Sequence, residues 1–157
     1  MENYRILAIN PGSTSTKIAV FDNDREIFST TLRHSTDELK PYAHVADQFE
    51  FRHGLILDAL RENGIDPQSL AAAIGRGGLV RPIPSGTYPV NDRLEHDLRH
   101  SPFGEHASNL GGLLARHIAA QIPGAQAFIA DPVVVDELQE GARVSGHPAF
   151  RGILISL

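Results

Sequence analysis

The chain has 157 residues, 41% of them hydrophobic and 21% charged, which is the composition of one ordinary soluble domain long enough to bury a core. It contains no cysteine, so disulfide frameworks and thiolate metal sites are excluded. A net charge of -5, 6% aromatic residues and no tryptophan argue against a nucleic-acid partner, and no apolar run approaches the roughly 18 residues of a membrane span.

Residues 4–10 (YRILAIN) form a short apolar run ending at Pro-Gly. Residues 16–22 (TKIAVFD) and 25–32 (REIFSTTL) are two more, separated by Asn23-Asp24. Short apolar runs between turn signals predict strands, here two successive hairpins. Ser35, Thr36 and Asp37 then offer capping oxygens, and Val45, Phe49, Leu55, Leu57 and Leu60 carry helical spacing up to a stop at Gly64. Pro41 is expected near the start of the main helix. Residues 70–74 (LAAAI) predict a strand running into Gly75-Arg76-Gly77-Gly78, followed by a proline-rich loop over 81–89. Asn91 caps a helix reaching about His100. A second helix is expected over 104–121, a strand over 126–130 (QAFIA) that delivers Asp131, and a helical segment over 133–144. The order β-β-β-α-β-α-β-α predicts an α/β fold with a mixed five-stranded sheet and helices packed against it.

The segment from Asn10 to Lys17 (NPGSTSTK) lies in the turn between the first two strands. Gly12 lets backbone approach a ligand, Ser13 and Ser15 offer hydroxyls beside consecutive amides, and Lys17 supplies a point charge, a set that suits a phosphate. It is not a Walker loop, because Thr16 precedes the lysine and a strand follows. A solvated polar turn is the alternative. Arg76 stands among glycines at a strand end, where its fork can meet a carboxylate or phosphate; a surface arginine is the alternative. Val80 stands where a dinucleotide fingerprint needs its third glycine, so that motif is rejected. Asp131, at a strand's carboxyl end, can bind Mg2+ or orient an attacking group; a helix N-cap at Val133 is the alternative. His96 and His100 have zinc-peptidase spacing, but Asp97 replaces the glutamate and Pro102 limits the helix, so a zinc site is set aside. His106 sits in a polar cluster at an expected helix start, where anions are favoured.

Taken together and in this order, the segment from Asn10 to Lys17, Gly75-Arg76-Gly77-Gly78, residues 81–88 (RPIPSGTY), residues 104–109 (GEHASN) and residues 130–137 (ADPVVVDE) resemble butyrate kinases. These belong to the acetate kinase group of the actin, hexokinase and sugar-kinase superfamily. The resemblance covers about residues 4–150. It implies a ribonuclease-H-like lobe of a two-lobe enzyme that uses ATP and Mg2+ to convert a short-chain carboxylate such as butyrate into an acyl phosphate in the cytoplasm. Acetate, propionate or a branched acid as substrate, or a non-catalytic binding domain, stay open beside it. By the same resemblance Asn10, Gly12, Ser13, Ser15 and Lys17 form the phosphate side and Arg76 holds substrate carboxylate and transferring phosphoryl. Asp131 is a catalytic acidic residue or Mg2+ ligand, and His106 is a cleft histidine. Gly77 and Gly78 are expected to leave room for an acyl chain longer than acetate. Residues 1–5 show no basic region before an apolar core, so no signal peptide is expected. Residues 151–157, ending in the apolar run GILISL, are expected to mark a truncation, with ATP and ADP held mainly by a second lobe beyond it; homo-oligomer formation is left open.

Overall fold

The computed structural model of the protein describes residues 3–135, 137 and 139. Three consecutive strands, β1 (Arg5–Pro11), β2 (Ser15–Asp22) and β3 (Arg25–Arg33), pair antiparallel as a meander. Asn23 adopts φ +56° in the tight turn between β2 and β3, a conformation asparagine tolerates. Strands β4 (Ala72–Arg76) and β6 (Gln126–Ala130) then add in parallel, β4 beside β1 and β6 beside β4. The final strand, β5 (Thr87–Pro89), runs antiparallel along β6, giving one mixed sheet in the order β3-β2-β1-β4-β6-β5.

The sheet therefore has six strands where five are expected. β5 lies in the proline-rich loop. Its three residues carry no periodic signal, and Pro89 is tolerated because β5 is an edge strand. The single long helix expected after Ser35 is also divided. α1 (Thr36–Leu39) is closed by a capping box between Ser35 and Glu38. Pro41 ends it, a 3-10 turn spans Val45–Gln48, and only then does α2 (Phe49–Glu62) begin. The helix expected from residue 104 starts later, as α4 (Asn109–Ala120), because Gly104 sits at φ +115° and residues 106–108 close local turns. α3 (Asp92–His100) is capped as expected, with Asn91 Oδ1 accepting from the Leu94 N–H at 2.9 Å. Residues 133 and 134 form a turn rather than opening a helix. The rest of the expected 133–144 helix, Glu137 and Gln139 apart, and the 151–157 tail lie outside the described residues.

Strand alternation sends Leu7, Ile9, Ile18, Val20 and Ala73 to one face, where α2 and α4 cover them. α4 is buried on nearly every side, since it lies between the sheet and its neighbours α2 and α3. Leu110, Leu113, Leu114 and Ile118 are its large fully enclosed side chains, each worth about 2 kcal/mol by burial. Arg116 ties α4 to α3 by donating to the Val90 carbonyl at 2.8 Å and pairing with Glu95 at 2.7 Å and with Asp92. No helix among the described residues is long and apolar enough to cross a membrane.

α4 meets β4 backbone to backbone. A β carbon on Gly75 would lie 2.1 Å from the Gly111 carbonyl carbon, and one on Gly111 would lie 2.4 Å from the Arg76 carbonyl oxygen. Neither atom can rotate away. Gly111→Ala should therefore lower unfolding free energy by about 2 kcal/mol or more, although alanine improves helix propensity by about 1 kcal/mol. Denaturant unfolding measures this, and a variant as stable as the parent would contradict the contact.

Candidate functional site

The three parallel strands β1, β4 and β6 bring their carboxyl ends to one edge of the sheet, the edge where ligands gather in open α/β folds. Asn10, Arg76 and Asp131 stand at or just beyond those ends. The turn into β2 rises beside them. Asn10, Arg76 and the turn line a cleft of about 690 Å³ whose walls include Asn10, Gly12, Ser13, Ser15, Lys17, Arg76 and His106. Seven of the ten expected site residues thus converge. Asp131 lines an adjoining hollow of about 500 Å³ on the uncovered sheet face, which shares Asn10, Lys17 and Arg76 with the cleft.

The backbone of the turn closes through the Gly12 N–H donating to the Ser15 carbonyl at 2.7 Å. Among the described residues the amides of Ser13 and Thr14, and the side chains of Asn10, Ser13, Ser15, Lys17 and Arg76, have no protein partner. Two amides, two hydroxyls, an ammonium and a guanidinium are therefore free to bind at one end of the sheet, and the set matches phosphate or carboxylate oxygens.

His106 is oriented by its own loop. Its Nδ1 accepts from the Ser108 N–H at 3.2 Å and lies 2.6 Å from Ser108 Oγ. A backbone donor can only meet an unprotonated nitrogen, so the neutral ring carries its proton on Nε2, as a donor. Asp131 adopts φ +39°, a left-handed conformation uncommon for aspartate. Its Oδ1 accepts from the Gly86 N–H at 3.1 Å, and its own N–H donates to the Gly86 carbonyl at 3.0 Å. The carboxylate thus ties the loop before β5 to the end of β6 rather than capping a helix. No ion pair joins Asp131 to Arg76 among the described residues. Its Oδ2 has no partner among the described residues, and Mg2+ requires only one or two carboxylates beside substrate phosphates and water, so Asp131 fits that ion. Among the described residues no group of three or more histidines and acids is placed to hold a metal by itself, and the exposed His96–His100 pair is a stacked surface feature.

The expectation for Gly77 and Gly78 is overturned. A β carbon on Gly77 would lie 2.6 Å from Pro132 Cα, and one on Gly78 would lie 2.7 Å from Asn109 Cα. The space beside these glycines is filled by backbone, so they allow close packing and leave no room there for an acyl chain. Buried Asn109 completes the arrangement: its Oδ1 accepts from the Leu79 N–H at 2.8 Å, and its Nδ2 donates to Ser101 Oγ and the Gly104 carbonyl.

Three residues that the sequence reading passed over support the site. Arg52 of α2 is wholly buried and donates to the carbonyls of Gly12, Ser13 and Ser15 and to Thr16 Oγ1. Gln48 accepts from the same guanidinium and lines the cleft. Glu105, also on the cleft wall, pairs with His44 Nδ1 at 2.7 Å. A signal for Arg52 was present: it shares the buried stripe of Phe49, Ile56 and Leu60, where an arginine must find partners.

Buried His34 and half-buried His53 add a pH dependence. His34, 2.9 Å from Thr16 Oγ1, is pushed below the ordinary histidine range by burial and then by the charge of Arg52. His53 is pushed down by burial and then by His117, whose ring centroid is 4.7 Å away.

No protein-family model matches the chain. It is 56% identical to butyrate kinase 1 of Clostridium acetobutylicum over 143 residues, which is 91% of this chain and 40% of that protein. It is 52% identical to a probable butyrate kinase of Bacteroides thetaiotaomicron over 151 residues, 96% of this chain and 42% of that one. Among solved structures, Porphyromonas gingivalis acetate kinase superposes with a TM-score of 0.50 over 81% of this chain and 37% of its own, at 15% identity, which is a likeness of fold.

Both rings, pushed down in the folded chain, take up protons on unfolding near the ordinary histidine pKa of about 6.5, so the unfolded chain binds more protons there and stability rises with pH. The unfolding midpoint should be highest above that value and fall as pH drops through it toward 5; a midpoint that holds or rises on acidification would contradict the downward push on these rings. The packing around Gly78 makes a second expectation. Gly78→Ala should destabilise the chain by about 1–3 kcal/mol in denaturant unfolding, and a neutral effect would restore the open-space reading. At about half identity over nearly all of its length, the chain is a homologue of the butyrate kinases and spans about two fifths of the length of those relatives.

Proposed function

We propose that this chain is the substrate-side lobe of an ATP-dependent carboxylate kinase of the butyrate kinase type, acting in the cytoplasm on a short-chain carboxylate. The observation that carries the reading is the convergence of free donors at the carboxyl ends of β1 and β4, in a chain about half identical to butyrate kinases. ATP would be held chiefly by a second lobe, of which only the phosphate end reaches this cleft.

The chemistry follows from the donor set. A carboxylate is ionised at neutral pH, so the nucleophile needs no base. One of its oxygens attacks the γ-phosphorus; a C–O–P linkage forms, the bond to the bridging oxygen breaks, and ADP departs with that electron pair. Two anions must approach, so the task of the protein is positioning and charge stabilisation. Arg76 can fork across the substrate carboxylate and the transferring phosphoryl. Lys17, Asn10, the hydroxyls of Ser13 and Ser15, and the free amides of Ser13 and Thr14 surround the phosphoryl oxygens. The His106 Nε2–H is a further neutral donor. Mg2+, held through Asp131 Oδ2 and the nucleotide phosphates, would supply neutralisation of the β- and γ-oxygens.

Among the described residues the Arg76 side chain makes no hydrogen bond or ion pair, so its truncation tests the site without unfolding it. Calorimetric titration of the chain with butyryl phosphate should show saturable binding that Arg76→Ala weakens about 10- to 100-fold, the range of a lost charge-assisted contact, with circular dichroism unchanged. Equal affinity in a folded variant would refute the assignment.

A further inference from the structure

Beneath the turn lies a positive charge with no negative partner among the described residues. The Arg52 side chain is fully buried, and every acceptor around it is neutral. Its Nη1 donates to the Gly12 carbonyl at 2.9 Å, the Ser15 carbonyl at 3.0 Å and Thr16 Oγ1 at 2.9 Å. Its Nη2 donates to the Ser13 carbonyl at 3.3 Å and Gln48 Oε1 at 2.8 Å, and its Nε donates to the same Gln48 oxygen at 3.1 Å. No ion pair among the described residues includes it. The one titratable ring in this network, His34, is pushed below the ordinary histidine range by burial and then by the charge of Arg52.

A buried guanidinium bonded only to neutral groups is an unusual expense for a fold. Hydrogen bonds recover part of its lost hydration, but no counter-charge recovers the rest. The geometry of the turn suggests where that counter-charge comes from. Arg52 draws the carbonyls of residues 12, 13 and 15 inward. Among the described residues the amides of Ser13 and Thr14 are left without protein partners, and Gly12, Ser13 and Ser15 line the cleft. Negative ends of the peptide dipoles meet the buried cation, and their positive ends are presented to a ligand. An anion seated on the turn would sit across one layer of backbone from Arg52, in surroundings where charge is poorly screened.

We propose that Arg52 is the positioning residue of this turn, and that its buried positive charge is balanced by the phosphoryl group bound on the other side, so that anion binding and the order of the turn are one linked equilibrium. The inference rests on the phosphate-binding reading of the turn and extends it to a residue outside the cleft. A purely structural arginine would hold the turn equally well with or without a ligand.

Gln48→Glu separates the two. It keeps the side-chain shape and both hydrogen bonds to Arg52, and it places a carboxylate beside the guanidinium as a permanent counter-charge. Thr31→Glu adds a carboxylate to the cleft wall on β3, opposite Lys17 in the register and not bonded to Arg52, and measures what an acid on that wall costs through repulsion and pairing with Lys17. The thermal midpoint of each chain is measured alone and against inorganic phosphate. We expect Gln48→Glu to raise the midpoint of the free chain and to weaken phosphate binding at least tenfold more than Thr31→Glu does. Phosphate affinity no lower than that of Thr31→Glu, or a lowered midpoint in the free Gln48→Glu chain, would overturn the proposal. Failure of the unsubstituted chain to bind phosphate would overturn it together with the assignment of the turn, whereas normal binding that Gln48→Glu leaves intact would overturn the role of Arg52 alone.

Discussion

Four missing β carbons determine how the site is assembled. β4 can press against α4 only because Gly75 and Gly111 meet backbone to backbone, and the loop beyond β4 can pass between Pro132 and Asn109 only because residues 77 and 78 are glycines. Without these contacts α4 would stand further from the sheet, and the residues leading into it, His106 among them, would withdraw from Arg76. The usual reading of glycines around an arginine is freedom of movement. Here they do the opposite: they let rigid backbone close in, so that a long side chain projects from a firmly held base.

A second layer of constraint comes from α2. Its register places Arg52 on the stripe that faces the sheet, among Phe49, Ile56 and Leu60, with its guanidinium under the β1–β2 turn. The turn is thereby held from below by side-chain donors, and at its end by β3, where the His34 N–H donates to the Thr14 carbonyl. Among the described residues Asn10, Ser13, Ser15, Lys17 and Arg76 keep their side chains unpaired toward the cleft, while the Arg52 guanidinium beneath them is bonded through all three of its nitrogens. That division of labour suits phosphoryl transfer, in which catalysis is mostly the placement of charge around groups that react by themselves.

Much of this was legible in the residues. Apolar runs between turn signals located five strands, and the capping roles of Ser35 and Asn91 follow from their chemistry. The turn from Asn10 to Lys17 was recognisable from its mixture of hydroxyls, glycine and lysine. What escaped had physical reasons. β5 exists through pairing with β6 and the tie between Gly86 and Asp131, neither of which leaves a local pattern. Residues 104–108 contain good helix formers, but Gly104 takes a left-handed turn that keeps them out of α4. Arg52 looked like one more polar residue on a helix until its neighbours in space were known. The glycines beside Arg76 were visible as glycines, but whether a ligand or backbone fills the space next to them is a tertiary fact.

The central claim is that the free donors at the carboxyl ends of β1 and β4 form one anion site for an acyl phosphate. Two-dimensional amide NMR of the chain, titrated with butyryl phosphate, tests it most directly. The account predicts saturable shifts concentrated at Ser13, Thr14, Ser15, Lys17 and Gly77, with the α3 surface around His96 and His100 unmoved. Shifts confined to α3, or an unresponsive turn at saturating ligand, would contradict it.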